Sequence, residues 1–358
     1  MNPSCSNPGR SSGFSLIELM LAMLIGLIIM AGVMQVFVST QDTQRRSEDH
    51  LALLGDARFA IETIAYDLRH TGLWGRNNNY QSIACQKNDT TNVAPCPPGF
   101  AMPVAGADCE PEDYINLERA LFASNNMNPY AATCAAQAYK AGTDVLSLRY
   151  ADTNKIATAV LATGVAYIRS SISGGMVFVG PTIPDVTGYK WKDNSANSNH
   201  LLISRTYYVS DYTDTVGDGY PSLRRTDLVA GPALRSEVLL PGVEDFQLEF
   251  GVDLGSNGVP GSPKDAQVDS YVDADNVTDI VGPPKELGWA NGEVLAVRIW
   301  LLIRSKRADR NEISSAQTFV IAGNTVTTPD DGYVRYLVSS VVKLRNTYQD
   351  DLKEAGAK

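Results

Sequence analysis

The chain has 358 residues and carries 30 basic and 40 acidic side chains, for a net charge of −10. That length supports a sizeable core in one large domain or two smaller ones. With no dense Lys/Arg cluster, the acidic balance excludes the electrostatic footprint of a nucleic-acid binder and points to protein partners.

The first feature along the chain is an apolar run from Phe14 to Val38 whose single charge is Glu18. From Leu19 to Val38 there is no charge, and Gln35 is the one strongly polar side chain. That is the length an α-helix needs to cross hydrocarbon, about 20 residues. A cleaved secretory signal has a shorter apolar part, about 7 to 15 residues, with its cleavage site downstream. Here the polar stretch MNPSCSNPGRSSG lies upstream and ends in a glycine. The order predicts cleavage before the anchor and retention of the spanning helix.

Past Val38 the sequence turns polar without a helix breaker: the first proline is Pro95, and Gly55 is the one nearby glycine. Leu54, Ala57, Ile61, Ile64, Leu68 and Thr71 alternate at spacings of three and four, which predicts an apolar seam with Arg58, Glu62 and Asp67 on the surface. The seam is too short for a stable coiled coil and ends at Gly72, so it is expected to pack on the protein's own sheet. A helix from Phe14 to His70 would be roughly 85 Å long.

Between Gly75 and Gly142 the composition shifts to Asn and Pro, and the stretch holds Cys85, Cys96, Cys109 and Cys134. Loops and short helices are expected there. Outside the cytoplasm, four cysteines in such a segment suggest two disulfides with three open connectivities, Cys85–Cys96 with Cys109–Cys134 being the expected one. Reduced, buried cysteines are the alternative. Period-two patterns follow at 144–150, 243–250, 294–305 and 334–345. In these, Phe246, Leu248 and Phe250, or Val297, Ile299 and Leu301, share a face opposed by Gln247, Glu249, Arg298 and Arg304. They predict an antiparallel sheet with one wet face, its dry face covered by the long helix. No internal repeat is visible.

The heptapeptide GFSLIEL at 13–19 resembles the type III signal of type IV prepilins and of type II secretion pseudopilins. In that family a membrane prepilin peptidase cuts after the glycine and methylates the new terminus. The resemblance therefore makes residues 1–13 a leader, Gly13–Phe14 the cleaved bond and Phe14 the N-methylated terminus. Losing Arg10 takes the net charge to −11. A carboxylate in a spanning helix costs roughly 2.5 to 3.5 kcal/mol on insertion scales. Glu18 is thus expected either to reach the headgroups or to pair with the α-amino group of Phe14, its own or a neighbouring subunit's. The resemblance favours the neighbour and makes Glu18 an assembly contact.

The segments DARFAIETIAYDLRHTGLWG, GTDVLSLRYA, GVEDFQLEFGVD, VLAVRIWLLIRS and YLVSSVVKLRN are more narrowly similar to PilW-type minor pilins. That resemblance implies an α+β, pilin-like fold: a long N-terminal transmembrane and amphipathic helix on an antiparallel β-sheet, with a loop-rich insertion. The implied organisation is a leader at 1–13 and a transmembrane segment at 14–38, followed by the soluble half of the helix at 39–73. A cysteine-containing insertion at 74–143, a β head at 144–350 and a tail at 351–358 complete it. The implied role is a non-catalytic minor pilin in the priming or tip complex of a type IV pilus. Its implied partners are the other minor pilins, the major pilin, the prepilin peptidase, the inner-membrane assembly platform and a PilY-type adhesin. The expected location is the bacterial inner membrane, single-pass with a periplasmic head, and then the pilus. The alternatives are a GspJ-like type II secretion pseudopilin and a membrane-anchored adhesin.

Enzymatic and metal motifs are sparse. His50, His70 and His200 are scattered, and HExxH, GxSxG and P-loop patterns are absent. Asp253, Asn257 and Gly258 match positions 1, 5 and 6 of an EF-type calcium loop, but Gly255 and Lys264 break it at positions 3 and 12. Asp269, Asp273, Asp275 and Asp279 could supply oxygens in another geometry. The expectation is a solvated acidic loop, with no cofactor and calcium as the alternative. Asp211, Asp214 and Asp218 are read as a loop.

Overall fold

The computed structural model describes residues 13, 15–85, 115–130, 136–184, 197–255, 258, 265–281, 294–308 and 316–346. The chain divides into two units at Ala52/Leu53. Helix α1, Leu16–His70, supplies all the regular structure described in the first unit and enters the second. It ends where the sequence allows a left-handed residue: the Thr71 N–H still bonds the Asp67 carbonyl at 2.9 Å, and Gly72 follows with φ +79°.

The second unit, the head, is a mixed α+β body. Its strands are β1 (Ile83–Ala84), β2 (Leu121–Ser124), β3 (Val145–Ala151), β4 (Ala166–Ser170), β5 (Gly175–Val179), β6 (Ser198–Ser210) and β7 (Ser222–Val229). They continue with β8 (Ala233–Pro241), β9 (Val243–Val252), β10 (Ser270–Val272), β11 (Val294–Arg304), β12 (Thr318–Ile321), β13 (Asn324–Thr327) and β14 (Arg335–Lys343). Helix α2, Ala274–Val281, follows β10.

The expected antiparallel sheet is divided. One sheet of eight strands runs β1-β5-β4-β6-β3-β2, with β7 on β6 and β8 on β7; a second runs β10-β9-β11-β14; β12 and β13 form a hairpin. Pairing is antiparallel throughout except for β1 with β5. Strand β6 is long enough to serve two partners on its length, β4 through Ser198–Leu201 and β7 through Arg205–Ser210.

The head portion of α1 buries Ala57, Ala60, Ile61, Ile64, Ala65 and Leu68 against both large sheets. Ile61, Ile64 and Leu68 share one buried cluster with Leu146, Leu148 and Val209 of one sheet and Phe246, Leu248, Val297 and Ile299 of the other. Each large aliphatic so buried stabilises by about 1.5–3 kcal/mol. Leu54, expected in the seam, is 38% exposed.

Two expectations are corrected. Asp67, read as a surface residue, is fully buried. Strand β3, read as half-wet, is buried at every position because its second face is also covered. There Trp74, Ile83, Ile115 and Leu117 form a separate cluster with Ile168 and Met176, so described parts of the 74–143 segment belong to the head's core.

Candidate assembly segment and helix anchor

At the N-terminal end Gly13 has open space around it, and Phe14 lies outside the described residues. The Ser15 carbonyl accepts the N–H groups of Glu18 and Leu19 at 3.0 and 3.1 Å, so the helix starts immediately after the predicted cut. Glu18 sits in the first turn of α1 and is exposed, where the partial positive charge of a helix start favours a carboxylate. The apolar window of this helix has a mean hydropathy of 2.6 and none of it is buried. By length and composition it can cross a membrane. At its polar end Thr40 and Thr43 donate their hydroxyls to the carbonyls of Val36 and Ser39, satisfying side chains that would otherwise need water.

What fixes α1 to the head is a charge in the core. The Asp67 carboxylate accepts from Tyr150 Oη at 2.8 Å and Arg205 Nη1 at 2.7 Å on one oxygen, and from Tyr207 Oη at 2.5 Å on the other. Arg205 in turn reaches Asp227 through Nε at 2.7 Å, and Asp227 holds Arg225 at 2.8 Å. Burial and then the Asp67 charge push the hydroxyls of Tyr150 and Tyr207 upward, so both stay protonated donors. Burial alone would lower Arg205, but the Asp67 charge overrides it and holds the guanidinium charged. The spacing of Ala60, Ile64, Asp67 and Thr71 places Asp67 on the apolar face, and that was the legible sign of a buried acid.

A second carboxylate joins the two sheets. Asp144, next to β3, is 1% exposed and accepts the N–H of Leu248 in β9 at 2.7 Å and that of Asn126 at 2.9 Å, while its own N–H bonds the Phe246 carbonyl at 2.8 Å. Burial first, against those hydrogen bonds, raises its carboxyl to about 7. Nearby, Glu244 is gripped by Arg335, itself 4% exposed, at 2.5 Å and by Arg304 at 3.3 Å.

The acidic loop residues hold backbone. Asp253 is buried and accepts from the N–H groups of Gly255 and Ala266, both at 2.8 Å. Asp269 accepts from Leu254 N–H at 2.8 Å, and Asp273 caps α2 through Asn276 N–H at 2.8 Å. Asp275 accepts from Asn125 at 3.1 Å; Asn257, Lys264 and the Asp279 side chain lie outside the described residues. Among the described residues no three His, Cys, Asp or Glu side chains gather as a metal-binding group. Asp218 accepts from the N–H groups of Thr213, Asp214, Thr215 and Tyr220, which lower it to about 2.

Cys85 is disulfide-bonded; Cys96, Cys109 and Cys134 lie outside the described residues. His70 bonds the Tyr66 carbonyl at 2.7 Å and lies against the ring of Tyr150. His200 is buried between the Asp152 carbonyl and Ser198 Oγ, both at 2.7 Å.

Comparison with known proteins adds two family matches. Residues 206–346 match the family described as Type IV Pilus-assembly protein W (PilW), and residues 9–34 match the prokaryotic N-terminal methylation motif. No curated protein matches the chain. Among solved structures, a type IV-like pilin from Thermus thermophilus is 17% identical, with 52% of this chain and 86% of that one covered at a TM-score of 0.23.

Proposed function

We infer that this chain, a type IV pilin of the PilW family, serves pilus assembly as a minor pilin whose work is structural and not catalytic. The observation that carries the reading is the union of a methylation motif at 9–34 with a fully exposed apolar helix leading to a separately packed head. An apolar surface of that length needs lipid before assembly and other helices after it.

In this reading a prepilin peptidase cuts after Gly13 and methylates Phe14, and the subunit waits in the inner membrane with its head in the periplasm. It is then drawn into the fibre with the other minor pilins and the major pilin through the inner-membrane platform, and lies near the tip with a PilY-type adhesin. Glu18 pairs with the terminal amine of a neighbour. The PilW match in the head favours a pilus over a secretion pseudopilus.

The test is mass spectrometry of the mature chain from cells making the prepilin peptidase, together with pilus recovery from cells lacking this gene. The expected results are a methylated terminus at Phe14 and loss of surface pili. An unprocessed chain, or pili at normal abundance without it, would overturn the reading.

A further inference from the structure

The second sheet ends on an open strand. In the order β10-β9-β11-β14, only β11 pairs with β14, over an unbroken register from Ala296 with Lys343 to Arg304 with Arg335. Just beyond the two ends, the Leu344 N–H bonds the Leu295 carbonyl and the Ser305 N–H bonds the Val334 carbonyl, both at 2.8 Å. These two bonds fix the alternation. Tyr336, Val338, Ser340 and Val342 turn their backbone groups to β11, so Leu337, Ser339, Val341 and Lys343 turn theirs outward. Among the described residues no hydrogen bond reaches the outward N–H and carbonyl groups of Leu337, Ser339, Val341 and Lys343.

The other long edge is blunted. Strand β8 pairs only with β7, carries exposed Arg235 and Glu237, ends in Pro241 and meets β7 through a register shift at Leu223/Arg224. Charges, prolines and bulges are the devices that keep an edge from pairing with another chain. Strand β14, RYLVSSVVK, has neither proline nor shift. Its outward cations stand at the two ends, Arg335 held by Glu244 and Asp331, and Lys343 at the last position. Between them lie Leu337, Ser339 and Val341, and Val341 is 51% exposed. Lys343 and Arg345 point to the same side, are exposed, and have no ion pair among the described residues.

We propose that β14 takes a further antiparallel strand from a different protein: an extended segment, apolar where it passes Leu337 and Val341 and carrying a carboxylate where it meets Lys343 and Arg345. Unpaired N–H and carbonyl groups at every second residue are matched together only by extended backbone, since a helix has already bonded its own. Charge then selects among strands. Pairing β14 with β14 of a second copy would bring the same two cations and no acid, whereas an acidic segment compensates them. The inference deepens the assembly reading by naming a contact on the head apart from α1. Its test uses the purified chain, so its failure is distinguishable from a failure of pilus incorporation.

The detergent-solubilised full chain is titrated with the acetylated, amidated peptide EEVTVTV and with its counterpart KKVTVTV, and hydrogen exchange of the β14 amides is followed by mass spectrometry. Saturable slowing of exchange is expected with the acidic peptide, and about fivefold weaker binding with the basic one. Ser339→Pro removes an outward donor while leaving the ladder to β11 intact, and is expected to weaken binding about tenfold. Lys343→Glu, at an exposed position, gives a second variant should Ser339→Pro disturb folding, and is expected to reverse the preference between the peptides. Unchanged exchange, equal binding of the two peptides, or binding indifferent to both substitutions would overturn the proposal. Self-association of the chain that Ser339→Pro abolishes would also overturn it, by assigning the edge to a second copy.

Discussion

Asp67 on α1 and Arg205 on β6, 138 positions apart in sequence, meet at 2.7 Å with the carboxylate wholly shielded from water. The pair, with two tyrosine hydroxyls completing the carboxylate's shell, fixes the helix against the sheet in one register. Such a charge is tolerated because each oxygen has donors, and removing one partner strands the other.

Asp67→Ala is therefore expected to destabilise the head by roughly 3–5 kcal/mol, read as the midpoint shift in urea denaturation of the purified chain. Asp67→Asn keeps the volume and is expected to cost less than Ala. A change within experimental error for both would show that packing alone sets the helix.

The joint at Asp144 predicts an acid-stabilised head. Its folded value, about 7, lies above the ordinary 3.8, so between those values the folded state binds more protons than the unfolded chain. The stabilising contribution is full below about 3.8 and is lost as pH rises through about 7. Asp245 is raised too and acts in the same direction. Asp218 acts oppositely and at lower pH: its contribution is present above 3.8 and lost as pH falls through about 2. Melting temperatures are expected to fall as pH rises from about 4 to about 7, the span between the two carboxyl values. In Asp144→Asn this slope is expected to flatten.

Two glycines separate conformational strain from crowding. Gly75 has φ +77°, and a Cβ there would lie 2.4 Å from Ser170 Oγ and 2.8 Å from His200 Cδ2. Gly217 has φ +87° in open space. Gly217→Ala is expected to cost about 1–2 kcal/mol, the left-handed penalty alone. Gly75→Ala is expected to cost more, since buried atoms must also move. Equal losses in thermal denaturation would count against the crowding.

Under the assembly reading the cut is set by the glycine and the carboxylate pairs between subunits, so Glu18→Ala is expected to leave cleavage after Gly13 intact but to reduce incorporation into pili. Immunoblots of sheared pili against whole cells measure both steps. Normal incorporation would show that the charge pairing is dispensable.

The parts of the molecule governed by short-range rules could be read from the chain. The unbroken run from Leu16 to His70, the left-handed stop at Gly72 and the alternating faces of β9 and β11 follow from local spacing and backbone preference. The apolar face of α1 was legible through Ile61, Ile64 and Leu68, and misjudged at Asp67 because a carboxylate reads as solvent-facing unless its partners are known.

The apolar length of the N-terminal helix was determined by the sequence itself: the side chains from Leu19 to Val38 are contiguous and uncharged, and lipid acts on such a stretch through hydrophobicity alone. Tertiary structure alone decided the division into two sheets, the burial of both faces of β3, and the closing of Asp67 by Tyr150, Arg205 and Tyr207. Each of these depends on residues far apart in the chain whose meeting is favourable only once the entropy of closing the intervening loops has been overcome by the whole core, and no local pattern encodes that sum.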